Sequence, residues 1–381
     1  MDRHVLGSGP RRAGWVLFLE LLLIALAGSL AGCGSEGDVA HSLADEDAIP
    51  SFRVDADWPI LPGHWVTASG IGLWVDETDH VWFSHRAELA TDEYLEAAAE
   101  PPGVPAPLVM EFDPSGVLVQ TWGSHDEAEG WPAVLHGLFV DHNGYVWSAA
   151  RDQHQVMKFT RDGAVILALG RYAESGGSHD PDRFARPADI YVDPETNELF
   201  VADGYDNRRV AVFDAETGAF LRQWGAYGEP PDDEWEPSSS GTVGEPPGQF
   251  NLLHAITGSR DGLIYVADQT NSRIQVFERS GRFVAERILR PGIGAATALA
   301  FSPDPEQRLL YVADGREDRI YILRRQDLEV LGSFGEPGPE PGRFGRPHNL
   351  ATDSRGNVYV GEAHPGRRLQ RFVPEECAPS G

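Results

Sequence analysis

The sequence predicts an all-β fold, a six-bladed β-propeller, from three observations. A unit of roughly 40 residues recurs about six times, lengthened by insertions, and that period is one propellers use. Within each unit four short apolar stretches are separated by Asp, Asn, Gly and Pro, as strands joined by tight turns require. Long amphipathic patterns are hard to find, and the 42 Gly and 28 Pro fall between apolar runs. The clearest unit, RPADIYVDPETNELFVADGYDNRRVAVFDAETGAFLRQWG, runs from Arg186 to Gly225. The same grammar returns as VWSAARDQHQVMKF from Val146, YVADQTNSRIQVF from Tyr265 and YVADGREDRIYIL from Tyr311.

Taken in order, residues 1–32 read as a targeting segment. Arg3, Arg11 and Arg12 precede an apolar run from Trp15 to Leu30 that is short and carries Glu20, which disfavours an uncleaved anchor. The run ends in Leu30-Ala31-Gly32-Cys33, which resembles the lipobox of bacterial lipoproteins. That resemblance implies lipidation of Cys33 and attachment to a membrane of the bacterial cell envelope, on its periplasmic or extracellular side; a plain secretory signal is the alternative. Residues 33–50 are polar and acidic, a flexible tether. The propeller is expected over 51–376, with 377–381 as a tail. Insertions at Glu88–Pro107 and Gly228–Gly248 are expected on the rim. The last repeat stops after a third strand at 367–373, so FRVDADWPIL at 52–61 is expected to supply the fourth and close the ring. With only Cys33 and Cys377, a lipidated chain has no internal disulfide. A formal charge of −28 argues against a nucleic-acid partner. A monomer acting on a small molecule or peptide is the expectation.

Aligned on the residue that opens each first strand, the repeats read Ile71, His136, Ala188, His254, Thr297 and His348, and two residues later each has Leu or Ile. Neighbouring blades in a closed ring of this size are rotated by roughly 60° and alternate ones by roughly 120°. Three imidazoles therefore converge on the axis. Three histidines with an open fourth position make the ligand set of a catalytic zinc, Zn²⁺; the plain alternative is a wet channel lined by ordinary polar residues. His85, His125, His154, His179 and His364 fall in loops or outer strands and are expected to be solvated. Asp203, Asp268 and Asp314 close Val-Ala-Asp strands and are expected to cap turns.

A strand ending in Val-Ala-Asp, then a loop with Asn and Arg, then Val or Ile and Phe, resembles the NHL repeat over nearly all of 69–373. His136-Gly137-Leu138, the DGYDNRR turn with Tyr205, GQF ahead of His254, and Arg346-Pro347-His348 followed by NVYVGEAH resemble the peptidyl-α-hydroxyglycine α-amidating lyases, which are six-bladed NHL propellers. The resemblance implies zinc on His136, His254 and His348, with Tyr205 and Arg86 (in SHRAE) acting on the substrate. It also implies Ca²⁺ in the channel, with Leu73, Leu138 and Asn349 at the matching positions. Four departures matter, the first being that cysteine partners that brace the family's fold are absent, with Asp206 where a cysteine would follow the tyrosine. Asn349 stands where the family has an acid, which weakens a calcium site. Gln269 replaces an arginine near the substrate carboxylate. Arg346 replaces a methionine near the zinc, and either restores the missing positive charge as a substrate-binding residue or marks a different substrate.

The implied chemistry suits these residue types. A carbinolamide, N–CH(OH)–COO⁻, breaks its C–N bond once the hydroxyl loses a proton; a metal supplies Lewis acidity, a tyrosine a base and an arginine a carboxylate grip. Two other readings stay open: a non-catalytic NHL propeller serving as an envelope binding or scaffold module, and a metal-dependent lactone or ester hydrolase. The hydrolase reading is disfavoured because no acid occupies the six aligned positions.

Overall fold

In the computed structural model, which describes residues 49–98, 102–123, 134–236, 248–289 and 295–375, the repeats form six four-stranded antiparallel sheets. Their first strands are Ser69–Val75, Leu138–Val140, Asp189–Val192, Leu253–Gly258, Ala296–Phe301 and Pro347–Thr352. These sheets are the six blades, and the first strands surround the central channel. Residues 1–32, Cys33 and most of the tether, together with Cys377, lie outside the described residues.

Blades 1, 2 and 6 each begin with a hairpin that the sequence specifies twice. In blade 1, Asp76 Oδ1 accepts the backbone N–H groups of Thr78 and His80 while Oδ2 accepts the indole N–H of Trp82 at 3.1 Å. Blade 2 repeats this with Asp141 and Trp147 at 2.8 Å, and blade 6 with Asp353 and the Tyr359 hydroxyl at 2.9 Å. One carboxylate thus shapes the turn and satisfies a polar group of a buried aromatic ring. Blades then stack through such rings: Trp224 lies between Phe200 and Phe277, with centroids 6.2 and 5.8 Å away.

The aspartates that close the second strands do more than cap turns. Asp203 accepts Ala185 N–H with one oxygen and meets Arg209 Nε at 2.9 Å with the other, both side chains fully buried. Asp268 pairs in the same way with Arg273 at 2.7 Å, again fully buried. The repeated loop reads Asn-Arg-Arg in blade 3, so the buried partner is Arg209, whereas Arg208 stacks on Trp235. Asp314 accepts N–H groups from Ala295, Arg316 and Glu317.

The ring closes by a strand from the N-terminal side. Phe52–Asp55 pairs antiparallel with Leu369–Pro374, from Phe52 opposite Pro374 to Asp55 opposite Arg371, and the Asp55 carboxylate pairs with the Arg371 guanidinium. This strand is shorter than the 52–61 stretch expected. After Asp55 the chain turns, and Trp58 is buried against Phe112 of blade 1 and Tyr359 of blade 6.

The first insertion has structure of its own. A helix at Asp92–Ala98 is held by Tyr94 Oη donating to the Thr67 carbonyl at 2.8 Å, and Trp65–Val66 pairs in parallel with Val104–Pro105. His85 corrects the expectation of solvation. It is fully buried in Val81–Arg86, where Nδ1 accepts from Ala68 N at 3.1 Å and Nε2 lies 3.0 Å from the Pro107 carbonyl, tying the insertion to blade 1. The cause is that a second strand is covered on both faces. His154 is also engaged, accepting Arg186 N–H at 3.0 Å, while His179 and His364 are exposed as expected. His125 lies outside the described residues.

Two truncations test the closure. Removing residues up to 48 should leave the melting temperature nearly unchanged, whereas removing them through 62 strips blade 6 of its fourth strand and should lower it sharply. Equal melting of the two shortened proteins would rule the closure out.

Candidate metal centre

The loops that lead into the first strands present the three histidines. Arg186, Leu252 and Arg346 each stand two residues before an aligned channel position, and each has a left-handed backbone, with φ of 60°, 65° and 68°. These uncommon conformations for non-glycine residues turn the chain into the channel. His136, His254 and His348 meet there, their ring centroids 5.0, 5.1 and 4.7 Å apart and one ligand nitrogen of each within 4.8 Å of the others. All three are buried.

Hydrogen bonding sets which nitrogen each ring offers. His136 Nδ1 donates to the Ala188 carbonyl at 2.6 Å, and His254 Nδ1 to the Thr297 carbonyl at 2.7 Å. His348 Nδ1 donates to Asn349 Oδ1 at 3.0 Å, and Asn349 Nδ2 in turn donates to the Ile71 carbonyl at 3.2 Å. Ala188, Thr297 and Ile71 are the three aligned residues that are not histidine. Every histidine is therefore oriented from the next blade, and every Nε2 carries a lone pair toward the common point. Burial holds His348 down to about 4, with the charges of Arg346, Arg151 and Arg86 adding to it and the Asn349 bond opposing it. Burial likewise lowers His136 and His254 well below the ordinary value, helped by the neighbouring histidines. Three neutral imidazoles with their second nitrogens occupied are the donor set a divalent transition metal needs.

Tyr205 completes the mouth of the site. Its hydroxyl lies 3.0 Å from His136 Nε2, and its ring stands edge-on to His136 and His254. Two arginines that the sequence did not single out flank it: Arg151 and Arg186 place their guanidinia 4.9 and 5.2 Å from the ring centroid. Asp152 binds both, with Arg151 Nε and Nη2 at 2.8 and 3.0 Å and Arg186 Nη2 at 3.3 Å. Of the arginines read from sequence, Arg86 ends the second strand of blade 1 and pairs with Glu88 at 2.6 Å. Arg346 is exposed beside the site, close enough for its charge to act on His254 and His348.

Toward the channel interior lies a cavity of about 30 Å³ lined by Leu73, Leu138, Asp189 and Asn349 together with His136 and His254. Asn349 has its oxygen on His348, so the acid-like role read for its position is filled otherwise. Asp189 supplies a carboxylate in this cavity. Its Oδ2 accepts Ile256 N–H at 3.0 Å, burial pushes it up to about 7, and the adjacent Gly137 leaves it room, since a Cβ there would come within 2.3 Å of Oδ1. Asp189 follows an aligned position rather than occupying one, which is why a scan of the aligned positions missed it.

No family model matches the chain. It is 31% identical over 339 residues to a peptidyl-glycine alpha-amidating monooxygenase of Xenopus laevis, an alignment covering 85% of this chain and 36% of that protein. The chain thus spans about a third of the length of the relatives it matches first. A probable peptidyl-alpha-hydroxyglycine alpha-amidating lyase of Caenorhabditis elegans is 28% identical over 62% of this chain and 63% of its own length. NHL repeat-containing protein 3 of Mus musculus is 25% identical over 95% of each. Among solved structures a streptogramin B lyase superposes with a TM-score of 0.53 at 12% identity, covering 85% of this chain and 98% of that one, a likeness of fold. The relatives therefore include amidating lyases and NHL-repeat proteins, and the fold is the six-bladed propeller.

The buried neutral histidines make stability depend on pH. Their folded values lie below 6.5, so the unfolded chain takes up protons first as pH falls. Stability of the metal-free protein should drop from pH 6.5 toward 4, with His348 alone contributing on the order of 3 kcal/mol across its shift. Urea unfolding at pH 7 and 5 should show a smaller pH effect in His348→Gln; an unchanged effect would contradict the assignment.

Proposed function

We propose that this chain is a zinc-dependent lyase that cleaves a carbinolamide of the peptidyl-α-hydroxyglycine kind to an amide and glyoxylate. One observation carries the reading: three inward Nε2 lone pairs meet beside the hydroxyl of Tyr205. Likeness to proteins named as amidating lyases supports it. A non-catalytic propeller module is the competing reading, favoured by the likeness to NHL repeat-containing protein 3 over nearly the whole chain. A tri-histidine centre sharing a hydrogen bond with a tyrosine is more than such a module needs.

His136, His254 and His348 would hold the zinc, which supplies Lewis acidity toward the carbinol oxygen. Tyr205 is the base that receives the carbinol proton. The C–N bond then breaks with its electron pair on nitrogen, nitrogen gains a proton, and the former carbinol carbon leaves as the aldehyde of glyoxylate. Arginines at the mouth, including Arg86 and Arg346 as read from sequence, attract the substrate carboxylate. The wider proposal is a lipoprotein anchored through Cys33 in the cell envelope, acting as a monomer.

Calcium would sit in the channel cavity, with Asp189 providing the charge and the carbonyls of Leu73 and Leu138 further oxygens. A half-buried carboxylate that has no cationic partner among the described residues, set in such a cavity, suits a hard cation. Asp189→Asn should weaken calcium binding about tenfold or more in equilibrium dialysis while zinc content stays constant. Equal calcium affinity in the variant would place the ion elsewhere.

Purified wild-type protein should retain close to one zinc per chain by elemental analysis and release glyoxylate from an α-hydroxyglycine peptide. Each single His→Ala change at 136, 254 or 348 should weaken zinc severely. Tyr205→Phe should keep zinc and fold while turnover falls roughly 10²-fold or more. Zinc retained in all three histidine variants would refute the centre. Zinc bound without turnover by the wild type would leave a metal-binding propeller and reject the lyase.

A further inference from the structure

We infer that Arg151 is the residue that grips the substrate carboxylate and sets a requirement for a free carboxylate on the reacting carbon, an assignment that rests on the lyase reading above. Sequence reading pointed to Arg86 and Arg346 for this task, but their placement suits it less. Arg86 is held by Glu88 at 2.6 Å. Arg346 is exposed to solvent. Arg151 instead places its guanidinium 4.9 Å from the ring centroid of Tyr205, whose hydroxyl lies 3.0 Å from His136 Nε2.

Arg151 is also prepared for the role. It sits in the short Arg151–Gln153 turn between the second and third strands of blade 2, at the same end of the blade as His136, and its side chain is 12% exposed. Asp152 takes Nε and Nη2 through both carboxylate oxygens, which fixes the plane of the guanidinium. The guanidinium lies over the ring of Tyr205, which keeps it beside the proposed base. Asp152 also holds Arg186, so removing Arg151 does not leave that acid alone. A guanidinium fixed before binding loses little side-chain freedom when an anion arrives, and its planar fork matches a carboxylate. The carboxylate, the carbinol oxygen and the phenol are then brought to one place by residues of two adjacent blades.

The test uses the zinc-loaded full chain in two independent measurements. Calorimetric titration with glyoxylate, the smallest product carrying the carboxylate, should show binding weakened about tenfold or more in Arg151→Gln and partly restored in Arg151→Lys. With α-hydroxyhippurate as substrate, Arg151→Gln should raise KM by a similar factor with kcat changed less, and preference over the methyl ester should collapse. Zinc content and melting should match the wild type. Glyoxylate binding unchanged in Arg151→Gln, or lost in Arg346→Gln while Arg151→Gln binds normally, would overturn the assignment. A wild type that binds glyoxylate through Arg151 but turns over no carbinolamide would uphold the grip and reject the lyase reading.

Discussion

The site depends on the acceptance of each histidine's Nδ1 proton by an oxygen anchored in the following blade. Two of those oxygens are carbonyls of Ala188 and Thr297, and the third is the Asn349 amide, itself held by the Ile71 carbonyl. A metal-binding imidazole must be neutral, with its lone pair on the correct nitrogen, and both conditions are set by what the other nitrogen does. Residues without side-chain chemistry therefore have a function: blades 1, 3 and 5 provide the backbone that aims the histidines of blades 2, 4 and 6.

That arrangement in turn needs a closed ring. The triad spans three blades, so its spacing is only as firm as the angle between neighbours, and that angle is set by aromatic contacts such as Trp224 on Phe277 and by ion pairs across blades such as Arg279 with Asp193. Phe52–Asp55 contributes by completing blade 6, which carries His348 and borders blade 1. A strand close to the N-terminal tether thus bears on the geometry of the metal centre, although it touches none of the ligands.

The electrostatics of the mouth run against those of the chain. A protein of formal charge −28 places Arg86, Arg151, Arg186 and Arg346 around the histidines. Burial, with the charges of Arg151 and Arg346 adding to it, keeps the imidazoles unprotonated, and the same cations draw an anion toward this patch, where burial strengthens each interaction. Asp152 holds Arg151 and Arg186 in place, so the positive charge stays directed at Tyr205 rather than at solvent.

By itself the sequence determined the blade count, the strand order within a blade, the alternation of His136, His254 and His348, and the place of Tyr205. Each is written in a period, and a period survives without coordinates because every repeat meets the same packing problem. Only the tertiary structure decided the rest. Arg151 and Arg186 look like ordinary turn residues until blades 2 and 3 bring them over one ring. Asp189 stands one position beyond the aligned residue, and only the cavity beside Gly137 turns it into a channel carboxylate. His85 reads as a solvated histidine near a strand end until the insertion covers it. In each case the role comes from a contact between segments far apart in the chain, and no local spacing encodes such a contact.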